Sequence, residues 1–347
     1  YAEGDAYFPG SPIVVVESSF AEGVVLETLL LSILNHDSAI ASAASRMVGV
    51  AEGRPCIEMG SRRTHEWAAV AAARASYLAG FAASSNLQAG LEYGVPTTGT
   101  AAHSFTLLHD SERDAFRAQV DSLGPDTTLL VDTYDIAEAV RAAVDVAGDR
   151  LGAVRIDSGD LALLARQVRA QLDELGAADT RIIVTSDLDE FAIAGLSGAP
   201  VDGYGVGTSL VTGSGHPTCG FVYKLVARAT STEPGDADSD APMLPVAKRS
   251  SHKVSVGGRK WAMRRRSASG VAEAEVLGVG TEPVDDGADR RLLVPLVRGG
   301  EVVGREPLAA ARDRHESAVA ELPVEARKLS RGEPAIDTEI LGAGGPA

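Results

Sequence analysis

The sequence predicts an α/β protein built around a parallel sheet covered by helices, and three observations carry that expectation. Polar strand ends recur at Asp132, Asp157, Asp187 and Thr208, in steps of about 25, 30 and 21 residues, the length of a β/α unit. Each belongs to a short apolar run: "TTLLVDTYD", "AVRIDSGD", "RIIVTSDLDE" and "GYGVGTSLVTG". After the first two, apolar residues switch to helical spacing, with Ile136, Val140, Val144 and Ala147 on one stripe and Leu161, Leu164, Val168, Leu172 and Leu175 on another. Repeats of this kind fit either a closed barrel or an open doubly wound sheet.

The elements follow in order. "PIVVVES" (12–18) reads as a strand, and Leu26, Leu29, Leu30, Ile33, Ile40, Ala44 and Met47 as one face of a long helix. "RPCIEMG" (54–60) reads as a short buried strand, and 64–81 as a helix with Trp67, Ala71, Ala75 and Leu78 on one stripe. Beyond the repeats, "FVYKLVARA" (221–229) is strand-like and "TSTEPGDADSDAP" (230–242) is a solvated loop. "HKVSVGGRKWAMRR" (252–265) reads as a hairpin around Gly257 and Gly258. Strands near 275–280 and 291–297, a helix over 310–326 and a loose tail complete the chain. The expected organisation is a core over 54–214, a flanking α+β domain from 1–53 with 215–330, and a tail over 331–347.

Composition narrows the function. The 347 residues are 45% hydrophobic, ample for a sizeable core. The net charge is −16 and the pI about 4.9, so the chain lacks the basic footprint of a general nucleic-acid binder. Phosphates would have to be held by a few placed cations, helix N-termini or a metal. The longest apolar stretch, 23–47, is broken by Glu27, Asn35, His36 and Asp37, which argues against a membrane partner. Two cysteines, Cys56 and Cys219, make no disulfide framework and no zinc cluster, and a reducing cytoplasm is the expected compartment.

Four stretches carry candidate chemistry. In "AVRIDSGD", Val154 and Ile156 share one face of a strand and Arg155 and Asp157 the other, with Ser158 and Asp160 where a helix N-cap belongs. This is a cation with acceptors at the C-terminal mouth of a β/α core, or simply a strand end with an ion pair and a cap. In "GSRRTHEW", Arg62 and Arg63 stand near a helix start, where acids are favoured; they suit a bound anion, or else form a solvated basic turn. His103 follows the small-residue turn Gly99-Thr100-Ala101-Ala102, which allows close approach of a ligand to the backbone. Gly203, Gly205 and Gly207 precede Thr208, either as an anion nest or as a strand that needs room for close packing. Together these loops point to a phosphorylated small-molecule substrate, with carboxylates able to bind sugar hydroxyls or hold Mg²⁺ through water. They do not name the reaction.

"GSRRTHE", "GVPTTGTAAHSF", "VDTYD", "RIDSGD", "TSDLDE", "GYGVGT" and "VYKLV", in this order, resemble the nicotinate phosphoribosyltransferase family over 11–265. The resemblance implies an irregular (β/α) barrel, a second domain built from both chain ends, and a homodimer with the site at its interface. It implies an enzyme of NAD salvage that converts nicotinate, 5-phosphoribosyl-1-pyrophosphate (PRPP), ATP and water to nicotinate mononucleotide, pyrophosphate, ADP and phosphate, with Mg²⁺. By the same resemblance Thr100 and Arg155 would contact nicotinate, and His103 would be the histidine that ATP phosphorylates. Gly205, Gly207 and Thr208 would hold the 5′-phosphate, Asp157 and Ser158 the ribose and phosphate, and Arg62 and Arg63 the pyrophosphate. The metal ligands stay unassigned. A further N-terminal segment, on the order of a hundred residues with a Thr-Asp-x-Tyr-like motif, is also implied.

Three rivals are weighed against this. A sister enzyme using nicotinamide would want an acid near the amide NH₂, and 93–104 offers none. A quinolinate enzyme of the same broad fold would have no use for the His103 loop. A phosphate-binding inactive paralogue would have no need of His103, Arg155 and Asp157.

Overall fold

The computed structural model describes residues 1–230, 242–250 and 253–342. The chain divides into two compact units, Asp37–Thr218 and a second made of Tyr1–His36 with Cys219–Ala347.

Asp37–Thr218 is the β/α unit. Six short strands, β1 (Cys56–Glu58), β2 (Ala83–Ser84), β3 (Thr128–Leu130), β4 (Ala153–Ile156), β5 (Arg181–Val184) and β6 (Gly203–Val206), form one sheet in the order β2-β1-β6-β5-β4-β3. Every pairing is parallel. This is the cyclic order of a barrel cut between β2 and β3, which form the two edges, so the sheet is a curled half-barrel. Leu129, Val154, Ile156, Ile182, Val184, Tyr204 and Val206 are buried in one continuous core with residues of the surrounding helices.

Those helices are α1 (Phe20–Val50), α2 (Glu66–Leu78), α3 (Leu87–Tyr93), α4 (His103–Leu107), α5 (Glu112–Leu123), α6 (Ile136–Ala147), α7 (Leu161–Glu174), α8 (Glu190–Gly195) and α9 (Thr208–Val211). Loop acids start three of them. Asp135 accepts Glu138 N–H at 2.9 Å, Asp160 accepts Leu163 N–H at 3.0 Å, and Asp189 accepts Ala192 N–H at 2.8 Å. Each such cap is worth about 1 kcal/mol. Asp160, not Ser158, is therefore the cap in "DSGD", which leaves Ser158 for other work. By length and composition α1 could cross a membrane. Its Ile40, Ala43, Ala44 and Met47 are instead buried in the β/α core, and so the boundary between the units falls inside α1 rather than at residue 53.

Several local expectations are corrected. Residues 12–18 join no sheet, although they are apolar enough for one. Trp67 lies in the first turn of α2 and is exposed, because the buried stripe runs through Ala69, Val70, Ala73 and Ala75. Only Ala227–Ala229 of 221–229 is strand. No hairpin forms at Gly257 and Gly258: Lys253–Val254 pairs with Arg249–Ser250, and Lys260–Arg266 pairs with Ala272–Val279. The loop expected over 230–242 lies mostly outside the described residues. The tail contributes Asp337–Leu341, which pairs in parallel with Ala272–Val279, so that part of it is not loose.

The second unit is α+β. Its main sheet runs Arg290–Arg291, Lys260–Arg266, Ala272–Val279, Asp337–Leu341, accompanied by the helix Leu308–Ala320. Arg264 is wholly buried there and is tolerated because it is paired: its guanidinium bonds Glu275 at 2.6 Å and Glu321 at 2.9 Å.

Candidate active site

The C-terminal ends of the six strands lie on one side of the sheet, as parallel pairing requires, and the loops that follow them carry the polar groups. Strand β4 alternates as its sequence dictates. Val154 and Ile156 are buried in the core, and Arg155 turns to the other face with 11% of its side chain exposed. Four groups hold its guanidinium. Arg155 Nε donates to Thr185 Oγ1 at 3.0 Å, Nη1 donates to Thr100 Oγ1 and to Ala101 O at 3.4 Å, and Nη2 lies 3.1 Å from Asp157 Oδ1. Thr100 and Arg155, far apart in sequence, thus share one site.

Asp157 is bound on three sides. Its Oδ1 accepts the Thr185 hydroxyl, its backbone N–H donates to Asp132 Oδ2 at 2.9 Å, and its Oδ2 lies 3.5 Å from His103 Nε2. Burial alone would raise its pKa. The Thr185 hydroxyl, Arg155 and His103 outweigh burial and hold it below the usual carboxylate value. Ser158 Oγ donates to the same Asp132 Oδ2 at 2.8 Å.

His103 opens α4 and sits between two carboxylates on neighbouring strand ends. Its Nδ1 is 3.2 Å from Thr133 Oγ1, and its Nε2 is 3.9 Å from Asp132 Oδ1 and 3.5 Å from Asp157 Oδ2. The imidazole is 40% exposed, so a ligand can reach it. The Asp132 side chain is 2% exposed, and its Oδ1 is buried with no hydrogen-bond partner.

The Gly-rich stretch divides into two parts. Gly203 and Gly205 are buried inside β6, where a Cβ on Gly205 would lie 2.4 Å from Thr185 Cγ2 and 2.8 Å from Met59 Sδ. Close packing accounts for the absence of a side chain at these two positions, the second of the two readings of this stretch. Gly207 and Thr208 emerge from the strand at the start of α9, with Thr208 exposed. Arg62 and Arg63 lie in a 3₁₀ turn, Ser61–Arg63, ahead of α2 and are both exposed. Neither guanidinium has a partner among the described residues.

Thr185, Asp132 and Thr133 belong to the same constellation but escape a reading by residue type. Thr185 follows "RIIV" and Asp132 follows "LLV", so their position at strand ends was the available signal.

No protein-family model matches the chain. Over 352 residues it is 59% identical to nicotinate phosphoribosyltransferase pncB1 of Mycobacterium tuberculosis, an alignment that covers 99% of this chain and 76% of that protein. The chain belongs to the nicotinate phosphoribosyltransferase family. A second mycobacterial member, nicotinate phosphoribosyltransferase pncB2, is 40% identical over 338 residues, covering 94% of this chain and 69% of that protein. The crystal structure of human nicotinic acid phosphoribosyltransferase matches with a TM-score of 0.71 at 25% identity, over 91% of this chain and 74% of that one. The half-barrel and its mouth are thus those of the nicotinate phosphoribosyltransferase fold.

Proposed function

We propose that the mouth of the half-barrel joins nicotinate to PRPP, in NAD salvage, with ATP hydrolysis coupled through His103. The observation that carries this reading is the single cluster of Arg155, Thr100, Asp157 and His103. Arg155, with Thr100 beside it, offers fixed donors to the pyridine carboxylate. The ring nitrogen of nicotinate attacks C1 of the phosphoribosyl group, the bond from C1 to pyrophosphate breaks, and the leaving group takes the electron pair. No protein nucleophile is needed, so positioning supplies much of the rate. Asp157, held ionised by Arg155 and Thr185, faces the cationic ribose ring that develops, and Ser158 joins it toward the sugar. Gly207 and Thr208 receive the 5′-phosphate, and Arg62 and Arg63 the pyrophosphate.

His103 does separate work. Its imidazole nitrogen can attack the terminal phosphorus of ATP, forming an N–P bond as the bond to the bridging oxygen breaks and ADP leaves, and water later cleaves the N–P bond to give phosphate and free imidazole. A phosphoryl group at Nε2 would meet two carboxylates, those of Asp132 and Asp157, and the repulsion calls for a cation. Asp132, with its orphaned buried oxygen, and Asp157 are hard oxygen donors that would hold Mg²⁺. Bound there, Mg²⁺ supplies countercharge to phosphate oxygens. A cytoplasmic homodimer with the site at its interface completes the reading.

The test is direct. Purified protein is incubated with nicotinate, PRPP and ATP labelled in the terminal phosphate. Nicotinate mononucleotide, pyrophosphate and an acid-labile label lost in His103→Ala are expected. Preference for nicotinamide in competition, or turnover with no label on the protein, would overturn it. Light scattering tests the dimer, and a fully active monomer would remove that element.

A further inference from the structure

Glu58 is a buried acid that the chemistry above does not use. It ends β1, is 0% exposed, and stands in register with Ser84 on one side and Val206 on the other. Its Oε1 accepts the backbone N–H of Gly60, and its Oε2 accepts the hydroxyl of Ser84. Ser84 Oγ in turn accepts Asn86 N–H at 2.8 Å. Asn86 caps α3 through Oδ1, which accepts Ala89 N–H at 2.9 Å, and its Nδ2 donates to Ser61 Oγ at 3.0 Å.

This network grips the turn that carries the two arginines. Glu58 holds its backbone at Gly60, Asn86 holds its side chain at Ser61, and Arg63 N–H closes it on Gly60 O at 2.8 Å. Gly60 is also pressed onto the loop after β6, since a Cβ there would lie 2.9 Å from Gly207 O and 2.3 Å from Val211 Cγ1. A buried acid is costly unless it is hydrogen-bonded, and both oxygens of Glu58 are. Here the partners fix the distance between two loops that would face the two phosphate ends of one substrate.

We propose that Glu58 is a positioning residue for PRPP, holding the Arg62 and Arg63 turn in register with Gly207 and Thr208. The proposal rests on the assignment of Arg62 and Arg63 to the pyrophosphate. Glu58→Gln is the informative variant because the amide oxygen can serve only one of the two donors, Gly60 N–H and Ser84 O–H, and Ser84 Oγ, which would have to turn to accept the amide N–H, already accepts Asn86 N–H. Ser61→Ala removes the second grip without touching the core.

Steady-state kinetics of the full enzyme decide the matter, with a melting curve for each variant. Glu58→Gln is expected to raise the KM for PRPP about tenfold, and Ser61→Ala about threefold, as loss of one hydrogen bond implies. The KM for nicotinate should stay within about twofold, and Ser61→Thr, which restores the hydroxyl, should recover the PRPP value. Arg62→Ala and Arg63→Ala serve as controls. If they raise the PRPP KM while folded Glu58→Gln and Ser61→Ala do not, the positioning role is overturned and the arginine assignment survives. If the arginine variants leave the PRPP KM unchanged, the assignment fails and the proposal with it. Should Glu58→Gln fail to fold, Ser61→Ala and its threonine rescue decide alone.

Discussion

The Thr185 hydroxyl accepts Arg155 Nε at 3.0 Å and spends its own proton on Asp157 Oδ1. One small side chain therefore sets the angle between a guanidinium and a carboxylate on the next strand. Thr185 is 4% exposed, so water cannot stand in for the hydroxyl. Thr185→Val keeps the shape and removes both bonds. We expect kcat/KM for nicotinate to fall about ten- to a hundredfold, the equivalent of a lost hydrogen bond to a charged group. Thr185→Ser should stay within about threefold of the parent enzyme. Equal kinetics for valine and serine would remove the hydroxyl from the mechanism.

Gly205 is the steric counterpart of Thr185. A methyl group at Gly205 would approach Thr185 Cγ2 to 2.4 Å and Met59 Sδ to 2.8 Å inside a fully buried strand. Gly205→Ala should cost about 1–3 kcal/mol of stability by overpacking, read from denaturant unfolding. Thr185→Ser, which removes Cγ2, should relieve part of that cost in the double variant. Additive effects of the two changes would show that the contact is not the cause.

How much of this was legible depends on the range of each interaction. The alternation of Val154, Arg155, Ile156 and Asp157 is local, and it placed Arg155 and Asp157 at the mouth correctly. The spacing of Asp132, Asp157 and Thr208 is likewise a chain property, and it gave the parallel sheet. Thr185 was not legible, because its importance lies in joining a strand end to Arg155 on the neighbouring strand. Gly205 was open between two readings until Thr185 and Met59 stood beside it. Residues 12–18 have strand-like composition but no sheet partner, whereas Asp337–Leu341 looks polar and finds one in Ala272–Val279. Pairing decides strands, and pairing is non-local.

Glu112 should make stability fall as pH rises. Its Oε1 is buried with no hydrogen-bond partner, and burial first, then Asp132 and Asp135, push its pKa up to about 7. A carboxyl raised in the folded state contributes stability that is fully present below its ordinary value and is lost as pH rises through about 7. Glu112→Gln should therefore melt close to the parent at about pH 5 and higher than the parent at about pH 8. A melting difference that does not change with pH would show that Glu112 does not titrate in this window.

Glu190 should act in the opposite sense. The last residue of "TSDLDE", it is 3% exposed and ties α1 to the loop after α9: Oε1 accepts Arg46 Nε at 2.8 Å and Oε2 accepts Ser214 Oγ at 2.5 Å. Burial would raise its pKa, but Ser214 and Arg46 outweigh burial and lower it. A carboxylate depressed in the folded state contributes stability that is present above its ordinary value and is lost as pH falls through the folded one. Glu190→Gln can still bond both partners and loses only the charge, so it should cost about 1 kcal/mol at neutral pH. That cost should shrink as pH falls below the ordinary carboxylate value and acid protonates the parent. A cost that persists unchanged into acid would assign the effect to packing around Ser214 rather than to the Arg46–Glu190 charge pair.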